Sequence, residues 1–308
     1  VSAEEAQIIC DNIIKELAPK LQSEILLSSN QYQYLLQRIK KTIIKSIYRL
    51  INFAQVSEFK PVGFEKSFGL GQHDLKPLVY PLENGYILEI TGQIDRIDAL
   101  DYEGQKYLLI IDYKTGNAYI NLSEVYHGLK LQLLTYLLVA QNSAQLLVGE
   151  EALPAGILYY FLKNVQVTAN NKLGDGEVLA EIDKKLKMPG WVLADKELLK
   201  KMDADFKFIK VGLKVDGEIN ANSLPYVKTS QEFTALLQHI NNTLQDIGSE
   251  ILSGTVAVSP YKLGHNIACT YCKYKAFCQF DEMLKLYEYN NLSSVDSIEL
   301  PILSGGEQ

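Results

Sequence analysis

Two carboxylates and an amine are the residues with the most obvious capacity for chemistry. The stretch LLIIDYKTG, residues 108–116, runs four apolar residues into Asp112, Tyr113 and Lys114. In an extended strand, residues two apart share a face, so Asp112 and Lys114 point one way and Tyr113 the other. The stretch GQIDRID, residues 92–98, offers Asp95 as a second carboxylate. Adjacent carboxylates repel and raise each other's pKa unless a cation sits between them. Mg²⁺ suits that place, because it takes one or two carboxylates, waters and a substrate phosphate oxygen. The Tyr113 backbone carbonyl is a candidate further ligand. Lys114 would hold the attacking water or stabilise developing charge, and these parts suit phosphodiester hydrolysis. A lone Asp-x-Lys is more often a surface ion pair at a strand end. The upstream motif and the helix that follows favour the site instead.

That helix carries Gln132 and Tyr136, whose i, i+4 spacing puts an amide and a phenol on one face, apart from Leu129, Leu133 and Leu137. Facing the carboxylates, Gln132 would bind a metal water and Tyr136 a substrate phosphate. The ordinary alternative is a polar pair at a wet helix edge.

The elements that must position these groups can be sketched from periodicity. Residues 2–27 read as a helix with a capping-box-like Ser2 and Glu5, and a second helix runs from about 28 to 55. On the latter, Arg38, Lys41, Lys45 and Arg49 form a basic stripe, read as a solvated face before a phosphate track. FKPVGFEKSFGLG, GYILEITGQIDRIDAL and QKYLLIIDYKT read as strands, with a hairpin turn at EGQ, residues 103–105. A helix over 123–147 and a buried strand at 154–164 follow. The pattern β-β-β-α-β predicts an α/β fold, a mixed sheet flanked by helices. Residues 1–56 are expected to be a helical region, 57–164 the core, and 165–228 an insertion with a strand near FKFIKVGLK. Residues 229–290 should hold a helix and a Cys-rich segment, and 291–308 a loose tail.

Cys269, Cys272 and Cys278 form C-x₂-C-x₅-C, a spacing suited to a soft metal centre. Zinc and a [4Fe–4S] cluster are both open, with His265 as a zinc-type fourth ligand or Cys10 as an all-thiolate one. The remaining reading is a small core of reduced thiols. The 308 residues are 47% hydrophobic and 22% charged, with a net charge of -7. That balance gives no bulk support to nucleic-acid binding, which must rest on local patches and metal. No apolar run is long enough for a membrane span and no signal peptide is evident, so a cytoplasmic location is expected. The chain starts at Val1, which suggests a piece of something longer.

GQIDRID, IIDYKTG and LQLLTYL resemble the Asp, D-x-K and Q-x-x-x-Y motifs of RecB-like nucleases in the PD-(D/E)XK (restriction-endonuclease-like) superfamily. Together with ILLSSNQYQYLLQRIKKT, VGFEKSFG and AVSPYKLGHNIACTYCKYKAFCQFD, they are similar to the AddB-type (RexB-type) nuclease domains of helicase–nucleases, in order and over almost the whole chain. The resemblance implies Asp95 and Asp112 as ligands of Mg²⁺ or Mn²⁺, Lys114 as the catalytic lysine, and Gln132 and Tyr136 as accessories. Glu65 matches a family glutamate, and Gly92, Arg96 and Asp98 complete the upstream motif in structural roles. It implies an exodeoxyribonuclease cutting single strands as an AddA-type helicase–nuclease subunit unwinds DNA in double-strand-break repair and recombination. It also implies a [4Fe–4S] cluster on Cys269, Cys272 and Cys278, with a fourth Cys far upstream. Departures are visible. The family's upstream Cys and metal-binding His have no counterpart here: Cys10 lies elsewhere, and neither His73, His127, His239 nor His265 matches. Lys273 stands where the family often has Pro. The alternative expectation is therefore a catalytically incomplete DNA-binding or scaffold fragment, or an interaction protein built on a zinc-ribbon-like Cys cluster.

Overall fold

The hairpin turn comes first, because it sets the register of the rest. Glu103 and Gly104 both adopt left-handed backbone, φ 54° and 76°. This is the turn geometry that matches the twist of paired strands. It closes β4 (Gly92–Tyr102) against β5 (Gln105–Lys114), antiparallel, from Tyr102 opposite Gln105 to Arg96 opposite Ile111. A computed structural model describes residues 3–21, 29–69, 71, 74–168, 174–284 and 288–297. In it β4 and β5 lie at the heart of a six-stranded mixed sheet of order β1-β4-β5-β6-β7-β8. β1 (Lys60–Phe68) runs antiparallel to β4, and β6 (Ala152–Phe161) runs parallel to β5. Gly92 begins β4 without a side chain because the Phe68 ring lies where a Cβ would be, 2.8 Å away.

Helices cover both faces, as the α/β reading expects. On one face, α2 (Asn30–Val56), capped by Ser29, turns Ser46, Arg49 and Phe53 inward. The Tyr160 hydroxyl donates to the Ser46 carbonyl at 2.7 Å and ties β6 to it. On the other face, α4 (Gln132–Asn142) buries Leu133, Leu134 and Leu137. α8 (Ser230–Leu252) packs beside α4, with a capping box of Thr229 and Glu232.

Several expectations change. The first helix, α1, spans Ala3–Leu17 and gives way to a 3₁₀ turn at Pro19, while Ser2 and 22–28 lie outside the described residues. GYILEITGQIDRIDAL is not one strand: it breaks at Thr91. Its first half, β3 (Ile87–Ile90), pairs with β2 (Leu78–Pro81) in a separate ribbon. The helix expected over 123–147 is three helices: α3 (Leu122–Tyr126), α4 and α5 (Ala144–Val148). Gly128, left-handed at φ 72°, ends the first, and Leu129 falls in the connection. Arg49 leaves the basic stripe, because its guanidinium pairs with Asp183 of α6 (Asp175–Lys185).

Residues 165–228 are more than an appendage. They contribute β7 (Gly190–Leu193) and β8 (Val227–Lys228) to the main sheet, and α7 (Lys196–Met202) packs Leu198, Leu199 and Met202 into the core. FKFIKVGLK forms no strand. Buried Asp203 accepts the Phe208 and Ile209 amides at 2.6 and 3.0 Å, so a side chain replaces a strand partner. The chain then forms a small sheet, β9 (Tyr261–Leu263), β10 (Asn266–Ile267) and β11 (Asn290–Asn291), with the one-turn α9 (Lys275–Cys278) between the last two. The start of the expected loose tail is thus paired, and 298–308 lie outside the described residues.

On the α2 face, Arg96 and Asp98 form a bidentate pair, Nε–Oδ1 and Nη2–Oδ2 both 2.7 Å, with Asp98 fully buried. Burial pushes the Asp98 carboxyl up, and the guanidinium offsets part of that rise. Removing one partner strands the other charge. Asp98→Ala should therefore cost about 3–5 kcal/mol in urea unfolding. Arg96→Met combined with Asp98→Leu should recover most of that loss, as seen in the unfolding midpoint.

Candidate active site

The antiparallel register carries one step past Arg96 and Ile111, to Asp95 opposite Asp112. On the other side, Asp112 pairs with Tyr159 of β6, and the β1 register places Glu65 opposite Asp95. Four neighbouring strands thus contribute one row: Glu65, Asp95, Asp112, Tyr159. Cross-strand partners share a face, so the two aspartates come together on the α4 face. Tyr113 turns to the α2 face, where its ring meets Tyr160 edge-on at 5.7 Å.

Asp112 is 1% exposed, and its Oδ1 has no hydrogen-bond partner among the described residues. Its charge partner is the Lys114 ammonium, 2.6 Å from Oδ2. Burial pushes the Asp112 carboxyl up, Lys114 pulls it back and Asp95 adds to the rise. Asp95 is half-buried, and its Oδ2 accepts the Tyr113 amide at 2.7 Å. That carboxylate therefore caps the strand pair where the regular ladder ends.

A relay of side chains leads from the lysine to α4. Lys114 Nζ donates to Gln132 Oε1 at 3.1 Å, and Gln132 Nε2 donates to the Tyr136 hydroxyl at 2.9 Å. Because the Tyr136 oxygen accepts from Gln132, its own proton is free to donate into the site. Burial raises the Tyr136 hydroxyl's pKa; the Gln132 bond lowers it, and Asp112 and Asp95 raise it further. The phenol stays protonated. The structure thus brings together Asp95, Asp112, Lys114, Gln132 and Tyr136. Glu65 sits in the row, but its side chain is exposed and its backbone is left-handed, φ 47°. Its described contact is through its carbonyl, which accepts Gln93 Nε2 at 3.1 Å.

A divalent cation fits these residues. A buried carboxylate oxygen without a partner is costly, and Asp112 keeps one, Oδ1, beside a second carboxylate whose charge the single Lys114 ammonium must also offset. Two carboxylates are also the number Mg²⁺ ordinarily takes. The thiols fit less well: no group of three His, Cys, Asp or Glu is gathered for a metal among the described residues. Cys10 is buried in α1, Cys272 is exposed and His265 is exposed. His127 and His239 hold the Ser293 and Tyr126 carbonyls, at 2.9 and 2.8 Å, and His73 lies outside the described residues.

Two residues near the site escaped the sequence reading. Tyr159 lies beside Asp112, its ring 5.8 Å from the Lys114 ammonium, and burial pushes its hydroxyl up to about 12. Glu124 of α3 is buried: its Oε1 accepts from the Tyr119 hydroxyl at 3.1 Å and Asn266 at 3.0 Å, and Lys130 lies 3.1 Å from Oε2. The clasp fastens the Cys-bearing segment to the turn that leads into Gln132. The signal was a glutamate just after the Asn121 cap, but its distant partner has no local trace.

The described residues contain no helix long and apolar enough to cross a membrane. A family model described as the PD-(D/E)XK nuclease superfamily matches residues 2–279. Among curated relatives, a subunit of the ATP-dependent helicase/deoxyribonuclease of Bacillus licheniformis is 40% identical over 293 residues, covering 94% of this chain and 25% of that one. The corresponding proteins from Bacillus cereus and Bacillus subtilis are each 38% identical, over 307 and 299 residues. They cover 97% and 96% of this chain, and 26% and 25% of their own lengths. The chain thus spans about a quarter of the length of these relatives.

The buried Asp112 gives a signed expectation. A carboxyl raised above its unfolded value binds its proton more tightly when folded. The penalty for ionising it is absent at low pH, grows as pH climbs from the usual carboxylate range through the folded value, and is complete at neutral pH. In metal-free buffer, Asp112→Asn should therefore raise the Tm at pH 7, and the difference from the parent should shrink as the pH falls below 4 or so. Mg²⁺ should raise the parent's Tm and leave Asp112→Asn unmoved. Thermal scans across pH check both. Glu124→Ala should loosen the Cys-bearing segment first, read as faster amide hydrogen exchange over residues 261–267 with β5 still protected.

Proposed function

This chain belongs to the PD-(D/E)XK nuclease superfamily, and we propose that it hydrolyses DNA phosphodiesters at Asp95, Asp112 and Lys114 with Mg²⁺ or Mn²⁺. One observation carries the reading: Asp112 is buried opposite Asp95, with Oδ1 unpartnered and Oδ2 against the Lys114 ammonium. A fold bears that cost where the group has work to do.

Asp95 and Asp112 would hold the cation, with the Tyr113 carbonyl as a further candidate ligand. When bound, it would polarise the phosphate and lower the pKa of its water. The rest falls to the chain's own groups. Lys114, steadied by Gln132, keeps a fixed positive charge where negative charge develops on the phosphate. Tyr136, its oxygen occupied by Gln132, points a donor at a phosphate oxygen. The buried Tyr159 ring beside Asp112 and Lys114 keeps water from that side of the site, which strengthens each charge interaction inside it. Glu65, at the open end of the row, is assigned to the substrate side.

The substrate is proposed to be single-stranded DNA released by a helicase partner, in the cytoplasm, during double-strand-break repair and recombination. Support comes from the helicase/deoxyribonuclease name of the relatives. Cys269, Cys272 and Cys278 have ligand types that suit a [4Fe–4S] cluster. As a staple it would take no part in hydrolysis.

The test is degradation of a labelled single strand in Mg²⁺ or Mn²⁺. Asp112→Ala and Lys114→Ala should each lower the rate by about 10³-fold, equivalent to about 4 kcal/mol of transition-state stabilisation. Circular dichroism would check that both variants fold. Degradation by Asp112→Ala at the parent rate would refute the assignment. A parent chain that binds the strand and never cuts it would be a scaffold that has kept a nuclease fold.

A further inference from the structure

The hydrolytic site leaves unused a cavity of about 540 Å³ lined by α2, α6 and the end of β6. Its walls are apolar at Phe161, Leu179, Ile182 and Phe208, and basic at Lys45, Arg49, Lys163 and Lys207. Among the described residues, Asp183 is the one carboxylate in its lining. That balance inverts the chain as a whole, which has 37 acidic residues against 30 basic ones. Arg49 engages Asp183, and Lys207 donates to Asp205 at 2.7 Å. Lys45 and Lys163 hold no carboxylate among the described residues. Lys163 is pushed down by burial and by Lys210, so an anion there would meet a poorly compensated charge.

Arg49 makes the cavity more than a gap between helices. It is 9% exposed, its guanidinium lies 5.0 Å from the Phe208 ring centre, and its buried Nε–H has no acceptor. A buried donor without a partner is costly, and here it lines an open cavity. The cavity lies on the α2 face, across the sheet from Asp95 and Asp112, and it meets β5 where that strand ends. The Leu162 amide donates to the Lys114 carbonyl at 2.8 Å, and Lys163 Nζ donates to Asn117 Oδ1 at 2.7 Å. Its rim is therefore stitched to the chain on both sides of Thr115 and Gly116, directly after the lysine.

We propose that this cavity receives a nucleotide of the single strand that is cut at Asp95, Asp112 and Lys114. The proposal rests on the hydrolytic reading of that site and adds where the strand lies once it rounds the end of the sheet beyond Lys114. The base lies against Phe161, Leu179 and Ile182; every base has an apolar face, so the contact tolerates any sequence. Flanking phosphates meet Lys45 and Lys163, and a base or phosphate oxygen accepts from Arg49 Nε. The volume falls within the range of small-ligand pockets, and a duplex, with its bases paired inward, could not supply the base.

Binding of a fluorescein-labelled oligo-dT to the 308-residue chain, followed by anisotropy in EDTA across a salt series, tests the assignment. Lys45→Gln with Lys163→Gln should weaken binding at least tenfold and flatten the slope of log affinity against log salt by about 1.4, the value for two lost phosphate contacts. Leu179→Ser, at an exposed position, should weaken binding with no change in slope. The parent should hydrolyse a minimal thymidine p-nitrophenyl phosphate diester, and Asp112→Ala should not. Unchanged oligo-dT binding in both variants would overturn the cavity assignment. A parent that hydrolyses neither substrate would overturn the hydrolytic reading alone, and the binding arm would still decide where the strand lies.

Discussion

Strand register is the constraint from which the site follows. Side chains alternate along a strand, so a slip of one residue between β4 and β5 would send Asp112 to the α2 face and part it from Asp95. The two left-handed residues at Glu103 and Gly104 prevent that slip, because they allow one closure, Tyr102 opposite Gln105. From there the pairing counts down to the aspartates at the far end. The parallel strand β6 then sets Tyr159 beside Asp112 and Phe161 beside Lys114. The geometry of the candidate site is thus specified at the opposite end of the hairpin from where the carboxylates meet.

The two faces of this hairpin solve one electrostatic problem in opposite ways. On the α2 face, Asp98 is fully buried and both its oxygens are matched by Arg96. On the α4 face, Asp112 is almost as buried, with Oδ1 unpartnered and Oδ2 held by a single ammonium. The first arrangement serves the fold, since a buried carboxylate survives best when its lone pairs are matched. The second leaves one buried oxygen open beside Asp95, where the proposed cation would sit. Two aspartates on one hairpin thus differ in kind, and the difference lies in their partners.

What could be read from the sequence was local. Alternation along β5, the Glu-Gly turn and the Asp-x-Lys spacing each act over a few residues, and they led to the sheet and to the carboxylates and lysine of the site. Gln132 and Tyr136 were legible because one helical turn separates them. The failures were non-local. A glycine at 128 breaks a pattern that leucine spacing alone continues. β7 is four buried residues and β8 only two, too short for a periodic signature, yet they complete the sheet. Arg49 looked like part of a solvated stripe because its partner, Asp183, lies 134 residues on. Glu124 finds Asn266 across 142 residues, and no window in the sequence spans that distance.

The bond from the Tyr113 amide to Asp95 makes the two site carboxylates unequal in what the molecule can afford to lose. Asp95 is both a proposed metal ligand and the last fastening of the hairpin, so its loss would fray the strand beneath Lys114. Asp112 takes no backbone amide and engages the Lys114 ammonium, and its loss would relieve the interior of a buried carboxylate. Decay of such a domain into a silent descendant therefore has a preferred order. Position 112 can drift while the architecture survives, and position 95 outlasts the activity it once served.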